Sequence, residues 1–178
     1  MKKLLIYEAL LGAAGFGFAV LFGFWTDPPW FGPGVWLNAA LGSLPPLAFA
    51  AFATSSFAIK RSPMRRIFEM FSRSEVGNFI RTTSWPLFLV VSITAGIAEE
   101  LLFRGILQPY SGNLLGSVVF GILHALTPGY FVIATAMSLY LGWIYEWCGG
   151  FLFVPAAIHA LYDFVALLLY KRRLRTGI

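Results

Sequence analysis

Long apolar runs, separated by short polar or glycine- and proline-rich segments, organise this chain. Leu4 to Phe24 is apolar apart from Glu8 and follows Lys2 and Lys3. Glu8 interrupts what would be the apolar region of a signal peptide, and no clear small-x-small cleavage site precedes the aromatic-rich Phe22 to Trp25, so the run predicts an uncleaved first membrane span. Asp27 to Pro33 is a turn rich in Pro, Gly and Trp, without basic residues, which suits the outer headgroup layer. Val35 to Ile59 predicts a second span whose Pro45-Pro46 pair requires neighbours to satisfy the freed carbonyls. Trp85 to Leu107 predicts a third. Leu114 to Thr127, 14 residues long, is short for a crossing at ~1.5 Å per residue. Tyr130 to Cys148 and Phe151 to Tyr170 predict two more spans, with turns at Pro128-Gly129 and Gly149-Gly150.

One stretch breaks the rule. In Lys60 to Arg81, Met64, Ile67, Phe68 and Phe71 recur at helical spacing while Arg65, Arg66 and Arg73 lie off that stripe. This predicts an amphipathic helix on the membrane interface. The basic residues lie with it: of thirteen Lys and Arg, two are at Lys2 and Lys3, six in Lys60 to Arg81 and four in Lys171 to Arg175. Cations that flank apolar spans indicate the cytoplasmic side and contact with anionic lipids, and not a nucleic-acid footprint. Six crossings, counting Leu114 to Thr127, put both termini and the basic segment on that side. At 58% hydrophobic and 12% charged residues, the chain reads as a single all-α domain over residues 1–178, a polytopic bundle of about six transmembrane helices plus one interfacial helix. The single Cys148 allows no intrachain disulfide.

The thirteenth cation, Arg104, lies in the apolar third span together with Glu99 and Glu100. Ionisable residues at mid-membrane each cost about 2.5–3.5 kcal/mol on insertion scales, so three within two turns imply function or burial against partners. Glu100 and Arg104 stand four apart in the favourable order for an ion pair, which leaves Glu99 over as a candidate base. The only histidines, His124 and His159, fall at comparable depth on other helices. Asp163 stands four after His159. Its carboxylate can then hold one imidazole nitrogen of His159, accepting the Nδ1 proton, while the other nitrogen faces a reacting group. Two Glu, an Arg, two His and an Asp on three helices predict one polar pocket.

Three ordered motifs emerge, Glu99-Glu100-x-x-x-Arg104, Phe120-x-x-x-His124 and His159-x-x-x-Asp163. Together they resemble those of the CAAX-protease and bacteriocin-processing family of intramembrane endopeptidases, which includes the type II CAAX prenyl endopeptidases. The motifs lie within residues 99–163, and the last position is more often Asn in the family. The resemblance implies peptide hydrolysis by a glutamate-activated water, without a cofactor or metal. On it, Glu99 is the general base and His124 helps to hold the water. His159 and Asp163 stabilise the oxyanion, while Glu100, Arg104 and Phe120 brace the site or hold substrate. The implied substrate is a membrane-associated peptide or protein. Two other readings use the same residues: a zinc metallopeptidase, since Glu99, His124, His159 and Asp163 offer N and O ligands, and a non-enzymatic membrane partner, immunity factor or proton-coupled carrier.

Overall fold

The structure, a computed structural model, describes residues 33–176; the expected first span, Leu4 to Phe24, lies outside them. The elements are α1 (Pro33–Ala53), α2 (Ser56–Ile59), α3 (Ser62–Arg73), α4 (Glu75–Thr82), α5 (Trp85–Glu100), a π-helical stretch (Leu101–Leu107), α6 (Gln108–Leu123), α7 (Pro128–Trp147) and α8 (Phe153–Thr176). No strand occurs among the described residues. The molecule is an all-α helical membrane bundle. Its polarity is that of a protein in lipid: Trp36, Leu37, Leu41, Leu44, Leu114 and Ile122 face outward while Glu100 and Arg104 are buried, the arrangement hydrocarbon favours.

Helix α1 continues through Pro45 and Pro46. Pro46 has no N–H for the carbonyl four residues back, and the Tyr140 hydroxyl of α7 donates to that carbonyl, Gly42 O, at 2.8 Å. The neighbour that a membrane proline requires is therefore in place. The expected second span is shorter than its apolar run, because the chain breaks after Ala53 and restarts as α2, capped by Ser55.

The polar segment forms two helices where one was expected. Ser74 divides them, its N–H bonding Phe71 O while its hydroxyl oxygen accepts from Gly77 N, a local alternative to helix continuation that serine offers. On α3, Phe68 is buried, Met64, Ile67 and Phe71 are half-buried, and Arg65, Arg66 and Arg73 are exposed. That stripe packs inward, with the rings of Phe71 and Tyr130 5.0 Å apart. The end of α8 ties both helices down. Tyr170 donates its hydroxyl to Phe68 O at 2.8 Å, and Lys171 Nζ donates to Thr83 O. Helix α8 also runs on through the basic cluster that the sequence read as a tail.

The third and fourth expected spans form a hairpin. The rings of Phe103 and Phe120 are 4.9 Å apart, whereas 17 residues of continuous helix span about 25 Å. The reversal occurs at Gly112, whose φ of 76° is a left-handed conformation open to glycine at little cost. The returning limb, residues 113–123, covers about 16 Å as helix, short of a hydrocarbon core of about 30 Å. The expected crossing from Leu114 to Thr127 is thus corrected to a half-depth limb. Nor is the count of six crossings reproduced. Among the described residues three helical stretches are long and apolar enough to cross: Gly34–Ala53, Trp85–Leu123, which contains the reversal, and Phe153–Thr176. Helix α7 is 20 residues long, but Tyr, Trp and Glu146 lower its hydropathy. The parity argument for the termini accordingly loses its premise. Pro128 and Gly129, expected as a turn, begin α7 behind the Thr127 cap, whereas Gly149 and Gly150, with φ of 68° and 82°, form the turn their sequence predicts.

Helices α5 and α8 meet backbone to backbone at Gly96. A methyl group there would lie 2.9 Å from Ala156 O and from Ala160 N, and 3.1 Å from Ala160 Cβ. Since Glu99 and Glu100 follow one turn later on α5 and His159 lies on α8, this approach sets the distance between carboxylates and imidazole. Gly96→Ala should therefore destabilise the bundle by about 1–3 kcal/mol, as overpacking does. A thermal unfolding midpoint in detergent equal to that of wild type would contradict this close contact.

Candidate active site

At the end of α5 the helix widens. The Gln108 N–H bonds Phe103 O, five residues back, and such π turns are frequent at functional sites. Arg104 lies inside the widened stretch, 1% exposed. Its Nη1 donates to Glu100 Oε1 at 3.0 Å, and its Nη2 donates to Ser138 O at 2.6 Å and Ser138 Oγ at 3.0 Å. Its guanidinium carbon is 5.9 Å from the centre of the Phe120 ring. Glu100 is 0% exposed and its Oε1 accepts a second bond, from His159 Nδ1 at 2.8 Å. A buried chain of charge-assisted contacts thus runs from α7 through Arg104 and Glu100 to the imidazole on α8. Arg104 is held in it through Nη1 and Nη2.

Glu99, on the next position of the helix, faces elsewhere. Its Oε2 lies 3.8 Å from His124 Nε2 and 3.8 Å from His159 Nε2, beyond a direct hydrogen bond and close enough for one small molecule to touch all three. His124 directly follows α6, and its Nδ1 donates to Phe120 O at 2.8 Å. Because a carbonyl only accepts, that bond puts the proton on Nδ1 and leaves Nε2 of the neutral ring as an acceptor. Phe120 stacks on the same ring, at 4.1 Å between centroids and 15° between planes, and meets His159 edge-on at 6.3 Å. It packs against both imidazoles.

Asp163 Oδ2 lies 3.5 Å from His159 Nε2. The arrangement in which Asp163 takes the Nδ1 proton is therefore corrected. Glu100 is anchored by Arg104 and holds Nδ1, which turns Nε2 toward Glu99 and Asp163 together.

These groups line one end of a cavity of about 500 Å³. Glu99, His124, His159 and Asp163 supply its polar end, and Met64, Ile67, Phe68 and Phe71 of α3 form part of its apolar wall. The interfacial helix thus roofs the site. Three participants carry little signal in the sequence. Ser138 is an uncharged residue in an apolar span, and Tyr130 and Tyr162, which line the cavity, read as ordinary membrane aromatics. Gln108, four residues after Arg104, donates its Nε2 to Gly142 O at 3.1 Å and to Glu146 Oε1 at 2.8 Å. Among the described residues no three His, Cys, Asp or Glu side chains are grouped so as to hold a metal ion.

Fold and site together define a helical integral membrane protein with a buried carboxylate and imidazole centre. Residues 81–165 match the sequence model of the family described as type II CAAX prenyl endopeptidase Rce1-like. All three motifs fall inside that segment, and the resemblance to the CAAX-protease and bacteriocin-processing family is shown there. The chain is also similar to the uncharacterized protein YpbD of Bacillus subtilis (strain 168), 39% identical over 85 residues. That alignment covers 46% of this chain and 44% of the relative, so the chain spans under half the length of the relative it matches. No solved structure matches.

Proposed function

We propose that this protein is an intramembrane endopeptidase in which Glu99 activates a water for direct attack on a peptide bond. The observation that carries this reading is the placement of Glu99 Oε2, 3.8 Å from two imidazole Nε2 atoms at the end of a cavity, while its neighbour Glu100 is engaged by Arg104. The likeness of residues 81–165 to a family of prenyl endopeptidases supports the same class of chemistry.

In the proposed step the water lies between Glu99 and His124 and donates a hydrogen bond to His124 Nε2, keeping that proton on its oxygen throughout the attack. Its oxygen bonds to the carbonyl carbon as Glu99 takes the other proton. The resulting oxyanion faces His159, which donates through Nε2 when the ring is cationic, its Nδ1 proton being held by Glu100. The Glu99 proton then passes to the amide nitrogen and the C–N bond breaks, releasing an acid and an amine. No bond between enzyme and substrate forms. Exclusion of water by the apolar wall strengthens each of these contacts.

We place the mouth of the cavity toward the cytoplasmic surface. The basic segments Lys60 to Arg81 and Lys171 to Arg175 are joined through Lys171 and Tyr170, so they share one face, and clustered cations mark the inner side. That face suits anionic lipid headgroups, and the N-terminus is assigned to it by Lys2 and Lys3.

The test is cleavage by purified protein in lipid nanodiscs of an end-blocked library of apolar peptides, read by mass spectrometry with and without EDTA and phenanthroline. The expected result is new internal termini at an unchanged rate under chelation. Cleavage abolished by chelators and restored by zinc would establish the metallopeptidase instead. Absence of cleavage in every condition would favour a non-enzymatic role.

A further inference from the structure

Helix α3 presents two different faces. Its inner face, Met64, Ile67, Phe68 and Phe71, closes the cavity that holds Glu99. Its outer face is cationic. Arg65, Arg66 and Arg73 are exposed, and Lys60 and Arg61 stand exposed just before the helix. Against these five cations, residues 60–73 hold one acid, Glu69, which is taken by Arg65 at 2.8 Å. Both ends of α3 are breaks in the helical path, since Arg61 and Ser74 are extended and Arg61 supplies no side-chain cap. What fastens α3 to the spanning helices is ring contact, Phe71 on Tyr130 and Phe68 on Tyr170, each at 5.0 Å. A latch is added by the hydroxyl of Tyr170, which donates to Phe68 O at 2.8 Å.

A helix of this pattern has a second place to lie. On a membrane surface its apolar stripe enters the acyl boundary and its cations sit among headgroups, and anionic lipid strengthens that seat. Over the cavity the stripe is buried too, but the cations point to water, with the Arg65 side chain 63% exposed. Moving between the two seats exchanges one apolar surrounding of the stripe for another and changes chiefly the surroundings of the charges. Anionic lipid therefore has a different affinity for the two states, the condition for shifting their balance. The pull of such a surface on each cation is comparable to the net worth of one hydrogen bond, so several cations together outweigh the Tyr170 latch. We propose that α3 is a lid with two seats, the observed one over the cavity and one on the adjoining membrane surface, and that anionic phospholipid draws it to the second and uncovers Glu99. The lid stands on the contacts of α3; its control of cleavage rests on the peptidase reading.

A reversible cross-link reads the lid, and a cleavage assay reads its effect. A methyl group at Gly129, at the start of α7, would lie 3.3 Å from Ile67 Cδ1. Ile67→Cys with Gly129→Cys, in a Cys148→Ser background, therefore brings two thiols together only while α3 lies over the cavity. In phosphatidylcholine nanodiscs the disulfide should form under mild oxidant, and replacing half of the lipid by phosphatidylglycerol should slow it about tenfold. The same change of lipid should raise cleavage of an uncharged, end-blocked apolar peptide by wild type about tenfold. The oxidised pair should cleave only after reduction. Lys60→Gln, Arg66→Gln and Arg73→Gln together should remove both lipid effects, and Tyr170→Phe should slow the cross-link in phosphatidylcholine alone. No cross-link in phosphatidylcholine, or equal rates in the two lipids, overturns the lid. So does a lipid effect that survives the three Gln substitutions. An oxidised pair that cleaves as fast as the reduced one overturns the control of the site by α3. Lipid-dependent cross-linking without cleavage in any condition upholds the lid and sinks the peptidase reading.

Discussion

Glu99→Gln should lower the cleavage rate by about 100-fold or more, the loss usual when a positioned general base is removed. The substitution keeps the shape of the side chain and takes away only its capacity to accept a proton. Stability should change little. Among the described residues its side chain makes no hydrogen bond, its approaches to the two imidazoles being 3.8 Å, so the amide strands no partner there. Turnover by Glu99→Gln at the wild-type rate, in a preparation free of wild-type enzyme, would show that some other group activates the water.

Glu100→Gln should have the opposite emphasis. Its carboxylate receives both Arg104 and His159 on one oxygen at full burial. Neutralising it leaves a guanidinium in the membrane interior without its counter-charge, and breaking a buried pair in this way costs about 3–5 kcal/mol. Activity should fall with it, since His159 loses the acceptor that sets its Nδ1 proton and turns Nε2 to the cavity. The check is a thermal unfolding curve in detergent beside that of Glu99→Gln. Equal midpoints would mean that the two adjacent carboxylates do not divide their roles as the geometry has it. Replacing Arg104 by Met in the Glu100→Gln background should recover part of the stability, because the stranded charge is then gone.

The division between Glu99 and Glu100 was legible in the sequence for a physical reason. A charge in an apolar run is costly, so its i, i+4 partner stands out, and the unpaired neighbour stands out with it. His124, His159 and Asp163 were legible on the same grounds, as rare polar groups on apolar helices. Ser138 was not, because a serine can satisfy its own hydroxyl on the preceding turn and costs a membrane helix little. The π stretch was not legible either. Its apolar pattern differs little from that of an α-helix, and the widening shows only once Arg104 is packed against α7. In the fold, apolar runs located the helices but not what joined them. Residues 108–123 read as a loop and a short span because Ser111-Gly112-Asn113 marks a turn without saying that helix continues up to it on both sides. The stripe on α3 fits a membrane surface and a cavity roof equally well by periodicity, and only contacts with Tyr130 and Tyr170 decide for the roof.

The central claim is that water attacks the peptide bond directly, and it is tested most directly by a single-turnover reaction in ¹⁸O-labelled water, with an excess of protein in nanodiscs and quenching in acid at successive times. Intact-mass spectra of the protein should stay unchanged throughout, while one ¹⁸O atom appears in the new carboxyl group at the rate of cleavage. A protein species heavier by the acyl fragment, formed before product and decaying as product appears, would contradict the account and assign the first attack to a side chain.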